Sequence, residues 1–425
     1  MDKIYEGAIA TIVAAAGEDA TYGLPGVNGL FREIRRTLTV DGILLAESLP
    51  KLPLILAKSI WATRGWTYQE AVLSRRCIFF TDHQVYLTCR CSSSCEAIRF
   101  APGTRDVRES ATRLRADIFD VELKTAGKRR AGLWDFFDHL YHYKHRSLSY
   151  ENDSLNAFQG ILAKFSYTTV YGIPIAPLIK DQKLDELELA HAFARGLWWF
   201  ERPLGDEIPT FARHPPEIYQ YVRQPLFPSW SWAGWAGKIP PKLASSNAKY
   251  LQDEHCNNGD TDLKIWLGND THGRLSLKEL IQLSGALGPH FDAFPVLYIE
   301  ADTYKLKIQV DKRRIESATP MLFAVGCSCP LQVDCLKDHG GARYRLIRLL
   351  VDLVGDDSST CRSFPCEAVA VKIFTHNPTS GGPFTTADCL VVDERDSLCT
   401  LIGTVTFWDC DEWAPRVRRR MLKLR

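Results

Sequence analysis

Residues 59–80 read SIWATRGWTYQEAVLSRRCIFF. This stretch decides the reading of the amino-terminal part, because it runs from a short amphipathic helix directly into a strand. Trp66 and Gln69/Glu70 stand three to four residues apart, so a helix puts them on one face, and Val72 and Leu73 continue an apolar stripe one turn on. One face then carries a large aromatic beside a carboxylate. Apolar surroundings disfavour the charged form of Glu70 and the nearby Arg64 favours it; either environment prepares a carboxylate for chemistry. An ordinary Arg64–Glu70 ion pair accounts for the same residues.

Working outward, Cys77 to Phe80 and Val85 to Cys89 are two strand-like runs joined by TDHQ, which predicts a hairpin. Upstream, Ala8 to Ala14 predicts a short buried strand, apolar on both faces as in a parallel sheet covered by helices. The following GEDATYGLPGV is a loop in which Gly17, Gly23, Pro25 and Gly26 supply turn conformations, with Asp19 among them. The order strand, Gly/Asp-rich loop, helix sets that loop at the carboxyl end of a strand, where α/β folds bind ligands.

Downstream, residues 101–130 are charged and aperiodic, a linker or exposed helix. An aromatic-rich helix resumes at Leu133 and runs to about Tyr143. Asp153 is positioned to cap a helix with Leu155, Phe158, Leu162 and Phe165 on one face, and Leu184 to Trp199 reads as a further amphipathic helix. In PSWSWAGWAG, from Pro228, the even spacing of Trp230 and Trp232 predicts one face of an extended strand, with Trp235 beyond it. Core packing under a turn accounts for these rings better than a ligand platform, because few polar groups stand beside them. From about Val296 the chain alternates apolar and polar residues in LYIEADTYKLKI, EAVAVKIF, DCLVVDE and LIGTVTFW, an antiparallel sheet.

A chain of 425 residues with 45% hydrophobic and 24% charged residues is of ordinary globular composition. A net charge of +1 gives no general reason to expect nucleic acid. The basic tail RVRRRMLKLR, residues 416–425, interleaves no aromatics with its charges, so it reads as a strand with a solvated face. The run Ala8 to Ala16 is too short to span a bilayer and is preceded by Asp2 and Glu6, so neither a signal peptide nor a membrane span is expected and the cytoplasm is the default. Thirteen cysteines without regular pairing distances suit reduced thiols. Cys89, Cys91 and Cys95, and Cys327, Cys329, Cys335 and His339, lack the usual zinc-pair spacing, so no metal site is expected. His139, His142 and His145 belong to a packed aromatic helix rather than a ligand set.

Arg64, Gly65, Trp66, Gln69 and Glu70 together resemble the third signature block of the fungal heterokaryon-incompatibility (HET) domain. Ile4, Tyr5, Ala8, Gly17, Asp19, Ala20, Gly23, Leu24, Pro25 and Gly26 resemble the strand and loop before it. Asp153, Leu155, Ala157, Gly160 and Ile161, with Pro228 to Ala233, resemble motifs that commonly follow the domain. The resemblance starts at the end of the second block, so an amino-terminally truncated HET domain is expected. It implies a partial α/β domain over residues 1–100, a parallel sheet with helices similar to Toll/interleukin-1 receptor (TIR) and flavodoxin-like folds. A helical region over 101–240 and a β-rich region over 241–425 would follow, α+β overall.

The resemblance also implies a site. Trp66 and Glu70 match the Trp-x3-Glu spacing of TIR enzymes, where the glutamate supports cleavage of NAD, so Glu70 is the candidate catalytic residue. Arg64, Trp66 and Gln69 would support it, the loop Gly17, Asp19, Gly23, Pro25 and Gly26 would lie near it, and NAD would be substrate rather than cofactor. Two functional readings follow. One is an effector of non-self recognition and programmed cell death, self-associating or engaging another incompatibility protein. The other is a catalytically silent relative acting as an interaction module.

Overall fold

The computed structural model describes residues 1–89, 92–97, 133–165, 167–177, 185–199, 222–237, 262–269, 273–310, 331–334, 344–349, 367–376, 386–394, 398–408 and 418–425. The chain divides into two units, Met1–Phe165 and Ser166–Arg425. Residues 101–130 and the Cys327/Cys329/Cys335/His339 cluster lie outside the described residues, as does Cys91.

The first unit opens with α1 (Asp2–Gly7) and β1 (Thr11–Ala14), followed by β2 (Thr37–Val40) and β3 (Ile43–Ala46). Then come α2 (Leu52–Leu56), α3 (Ile60–Thr63) and α4 (Trp66–Leu73), β4 (Arg76–Phe80), β5 (Val85–Cys89) and β6 (Ser93–Cys95), and finally α5 (Leu133–Lys144) and α6 (Asn156–Leu162). The main sheet has the order β1-β4-β5-β6. β1 runs parallel to β4 with Thr11 opposite Cys77, whereas β4, β5 and β6 are antiparallel, so the expected hairpin forms.

Two expectations are corrected here. β1 is buried on one face only: Val13 is buried and Ile12 is 62% exposed, so the apolar run is a one-sided strand preceded by a helix. No helix follows the glycine loop directly; the chain continues to the β2–β3 hairpin, whose turn uses Asp41 (φ 50°) and Gly42 (φ 78°), both in the left-handed region. All eight strand residues of that hairpin are exposed.

The core on one side of the sheet gathers Val13, Leu52, Leu56, Trp61, Ala71, Cys77, Phe79 and Tyr86. Trp61 meets Phe79 edge-on, with centroids 5.7 Å apart, the arrangement ring quadrupoles prefer. A second cluster joins α4, α5 and α6 through Tyr68, Phe136, His139, Tyr143, Phe158 and Phe165. Asp153 does not cap α6: it ends a 3-10 turn, Glu151–Asp153, and Leu155 occupies the cap position. The three α5 histidines take separate partners, as a packed helix requires. His139 meets Tyr68, His142 approaches Asp138, and His145 meets the Tyr141 carbonyl.

The second unit comprises β7 (Tyr167–Val170), β8 (Ile173–Pro177), α7 (Glu186–Gly196), β9 (Val222–Arg223), β10 (Trp235–Ala236), β11 (Lys264–Asn269), β12 (Gly273–Ser276), α8 (Leu277–Leu287) and β13 (His290–Phe291). The remaining strands are β14 (Val296–Val310), β15 (Leu331–Asp334), β16 (Tyr344–Leu349), β17 (Glu367–His376), β18 (Thr386–Asp393), β19 (Thr400–Trp408) and β20 (Arg418–Leu424). Nine of them make one sheet in the order β12-β11-β14-β17-β18-β19-β16, with β15 and β20 also on β14, and every pairing in it is antiparallel. Helices and strands together give an α+β architecture.

The tryptophan segment is core, but Trp230 and Trp232 are not on a strand: Trp232–Gly234 is a 3-10 turn, and β10 begins only at Trp235. Each indole N–H finds a carbonyl, Trp230 on Pro295 (3.0 Å), Trp232 on Gly172 (3.0 Å) and Trp235 on Ser229 (2.8 Å). Gly172 is required where it stands. Its φ is 75°, and a Cβ there would lie 2.7 Å from the Trp232 ring.

Candidate functional site

The signature begins with two short helices locked together. Ser59 caps α3 by accepting from the Ala62 amide, and Thr67 Oγ1 lies 2.6 Å from the Trp61 carbonyl and 2.7 Å from that of Arg64. α4 then buries Thr67, Tyr68, Gln69, Ala71, Val72 and Leu73 and leaves Trp66 and Glu70 half-buried. Trp66 and Glu70 therefore share the outer side of α4, one turn apart.

Gln69 points elsewhere. It is buried against α6, where a Cβ on Gly160 would come within 2.5 Å of Gln69 Oε1, and its Nε2 has no hydrogen-bond partner among the described residues. Gly160 thus lets α6 approach α4 closely, a physical reason for a glycine in the downstream motif.

Arg64 is exposed and forms no ion pair with Glu70 among the described residues. The cation next to the signature is Arg146, which sequence reasoning did not single out. Its guanidinium lies 5.9 Å from the Trp61 ring and 5.1 Å from the Tyr68 ring, and Nη1 donates to Thr67 Oγ1 at 2.8 Å. Burial lowers Arg146 to about 10, and the nearby negative charge of Glu70 partly offsets that effect. The neighbouring backbone closes on the signature too: the Gly65 amide donates to the Ser147 carbonyl (2.7 Å) and the Ser147 amide to that of Thr63 (2.6 Å). A Cβ on Gly65 would lie 2.5 Å from Leu148, so the signature glycine makes room for this segment.

Glu70 is engaged from the amino-terminal side. Tyr5 lies beside its carboxylate, and burial, then the negative charge of Glu70, push the Tyr5 phenol up to about 12. Lys164 Nζ meets Glu6 at 2.6 Å and ties α1 down further. Beneath α4, Tyr68 lies 2.7 Å from His139 Nδ1. Burial lowers His139 to about 3, so its ring is neutral and shares a single hydrogen bond with the phenol; the other nitrogen, Nε2, is buried with no partner among the described residues.

The glycine loop sits at the other end of β1. The Ala15 and Ala16 amides donate to the Phe80 carbonyl at the carboxyl ends of β1 and β4. Glu70 lies instead near the start of β1, since Ser74 donates to the Glu70 carbonyl and bonds Thr11 Oγ1 at 2.6 Å. The four residues of β1, at about 3.3 Å each, separate the two. Within the loop Asp19 accepts from the amide and hydroxyl of Thr21, which lowers its pKa, the Tyr22 ring packs over Gly17 (φ 75°), and Tyr22 donates to Asp82. Pro25 is buried, its carbonyl accepts from Arg32, and Arg32 pairs with Glu96, while Gly23 and Gly26 both have positive φ. Trp66 and Glu70 are thus together, and Gln69, Arg64 and the loop are not beside them. Among the described residues no group of three or more His, Cys, Asp or Glu is arranged to hold a metal ion.

These features define an α+β protein whose amino-terminal unit is organised around an Arg-Gly-Trp-x2-Gln-Glu helix. Residues 1–70 match the family described as Heterokaryon incompatibility protein (HET), the match ending on Glu70 itself. Neither the curated proteins nor the solved structures hold a match to this chain.

Proposed function

We propose that this chain is a protein of fungal non-self recognition that acts by binding a protein partner, either itself or another incompatibility protein, in the cytoplasm and upstream of programmed cell death. The observation that carries this reading is the state of Glu70. Its carboxylate faces the Tyr5 phenol of α1, and it lies at the amino end of the β1–β4 pair, whereas ligands of open α/β sheets bind beyond the carboxyl ends. Glu70 is then a structural residue.

Partner binding is supported by where apolar surface is exposed. Phe31 is 91% and Ile34 93% exposed, close in sequence to the exposed Leu38, Ile43 and Leu44 of the β2–β3 hairpin. The test is the incompatibility response of a fungal host expressing the chain. Glu70→Gln, which keeps an acceptor for Tyr5, retains the response, and the double substitution Phe31→Asp, Ile34→Asp abolishes it. Loss of the response in Glu70→Gln alone would overturn the reading.

A second reading has one observation in its favour. Trp66 and Glu70 are both half-buried and one turn apart on α4, the spacing of the TIR NAD-cleaving pair. On that reading Glu70 would bind the nicotinamide ribose and stabilise an oxocarbenium-like transition state, with Trp66 as a pocket wall.

A further inference from the structure

The basic tail contains no aromatic residue between its charges, yet strand pairing puts aromatics beside it. β14 is flanked by β11 on one edge and β20 on the other, with Trp266 opposite Tyr298 and Tyr298 opposite Lys423. Trp266, Tyr298 and Lys423 thus form one row about 10 Å wide across three strands. Their sequence neighbours Ile265, Leu267, Leu297, Ile299, Leu422 and Leu424 are buried, so by the two-residue period of a strand the row faces outward. Trp266 and Tyr298 are half-buried and Lys423 is exposed.

Cations converge on the two rings. From β12, the Arg274 guanidinium lies 4.9 Å from the Trp266 ring centroid and 5.7 Å from that of Tyr298, and Lys423 Nζ lies 5.7 Å from Tyr298. In the next row Lys264 stands opposite Glu300, and Arg419 is held by Glu300 (2.9 Å) and Asp262 (3.1 Å). Among the described residues Lys264, Arg274 and Lys423 have no carboxylate within ion-pair distance. Of the acidic groups on this face, Glu300 and Asp262 are thus spent on Arg419 and Asp302 on Lys372 (2.8 Å), and three cations remain beside two flat rings.

We propose that this face binds single-stranded nucleic acid, with bases stacked against the Trp266–Arg274–Tyr298 layer and phosphates on Lys423, Lys264 and the outward N–H groups of Arg274. Arg274 Nη1 donates to Met421 Sδ at 2.9 Å, its remaining in-plane donors and its outer face stay open to phosphate and base, and aromatic platforms in a positive field are how proteins hold single strands without reading sequence. An acidic peptide or sulfated polysaccharide would satisfy the cations and leave the rings unused; the pairing of the two groups favours a ligand that carries both charge and planar bases.

The test is fluorescence anisotropy of the full chain with a labelled oligothymidylate at low salt. The expected results are saturable binding that weakens linearly in log–log form as salt rises, and a loss of roughly tenfold or more in the double substitution Arg274→Glu, Lys423→Glu. Tyr298→Leu keeps apolar bulk in the strand but removes the ring, and weakens binding by roughly tenfold with an unchanged thermal melt. Lys58→Glu, an exposed charge change in the other unit, leaves binding as it was. Absence of binding, indifference to Tyr298→Leu in a folded protein, or equal competition by heparin or polyglutamate at matched charge would each overturn the proposal.

Discussion

Tyr5 of α1 lies beside Glu70 of the signature helix, close enough that burial and then the Glu70 charge push its phenol up to about 12. α1 has six residues and no side-chain cap, too short to hold its shape alone, so its contacts with α4 and the Glu6–Lys164 pair keep it in place. Tyr5→Phe removes the hydroxyl beside Glu70 and is expected to destabilise the unit by about 1–2 kcal/mol. A double-mutant cycle with Glu70→Ala, read by urea unfolding, should give a coupling of about 1 kcal/mol; a coupling near zero would show that the two groups do not interact.

Arg146 is expected to matter more than Arg64. Arg146→Ala removes contacts with Trp61 and Tyr68 and the donor to Thr67, at a cost of about 2–3 kcal/mol, whereas exposed Arg64→Ala costs about 0.5 kcal/mol or less. Thermal melts of the two variants give the comparison, and equal shifts would contradict the assigned role of Arg146.

Glycines at close approaches should separate from glycines in open space. Gly160→Ala pushes a methyl against Gln69 and Leu73 and is expected to cost about 1–3 kcal/mol. Gly7→Ala at the end of α1 meets nothing within 4 Å and should be neutral or slightly stabilising. Denaturation midpoints of the two variants test the packing of α6 on α4.

His139 carries a pH dependence with a defined sign. Its folded pKa of about 3 lies below the usual 6.5, so the unfolded chain binds the proton first. The stability of the neutral buried ring is therefore fully present above about 6.5 and is lost as pH falls from there toward 3, by up to about 1.4 kcal/mol per pH unit. Urea midpoints between pH 7 and 5 should fall in the wild type and fall less in His139→Gln; parallel slopes would show that another group carries the acid sensitivity.

Local pattern made much of this fold legible. The Trp66–Leu73 helix, the β4–β5 hairpin and strands β14, β17, β18 and β19 follow from periods of 3.6 and 2 that packing did not override. The β2–β3 hairpin was missed although Asp41-Gly42 between Val40 and Ile43 carries the turn signal. α1 was missed because a single six-residue turn has no period to read. Site geometry was less legible. Nothing near Glu70 in sequence points to Arg146, and Trp266, Tyr298 and Lys423 become neighbours only through strand register.

The central claim is that Glu70 holds α1 and does not cleave NAD. The most direct measurement is the NAD content of cells expressing the chain or its Glu70→Gln variant at equal levels, beside an empty control. The account predicts the same NAD content in all three. NAD loss with the wild type that Glu70→Gln abolishes, in a variant of unchanged thermal stability, would contradict it.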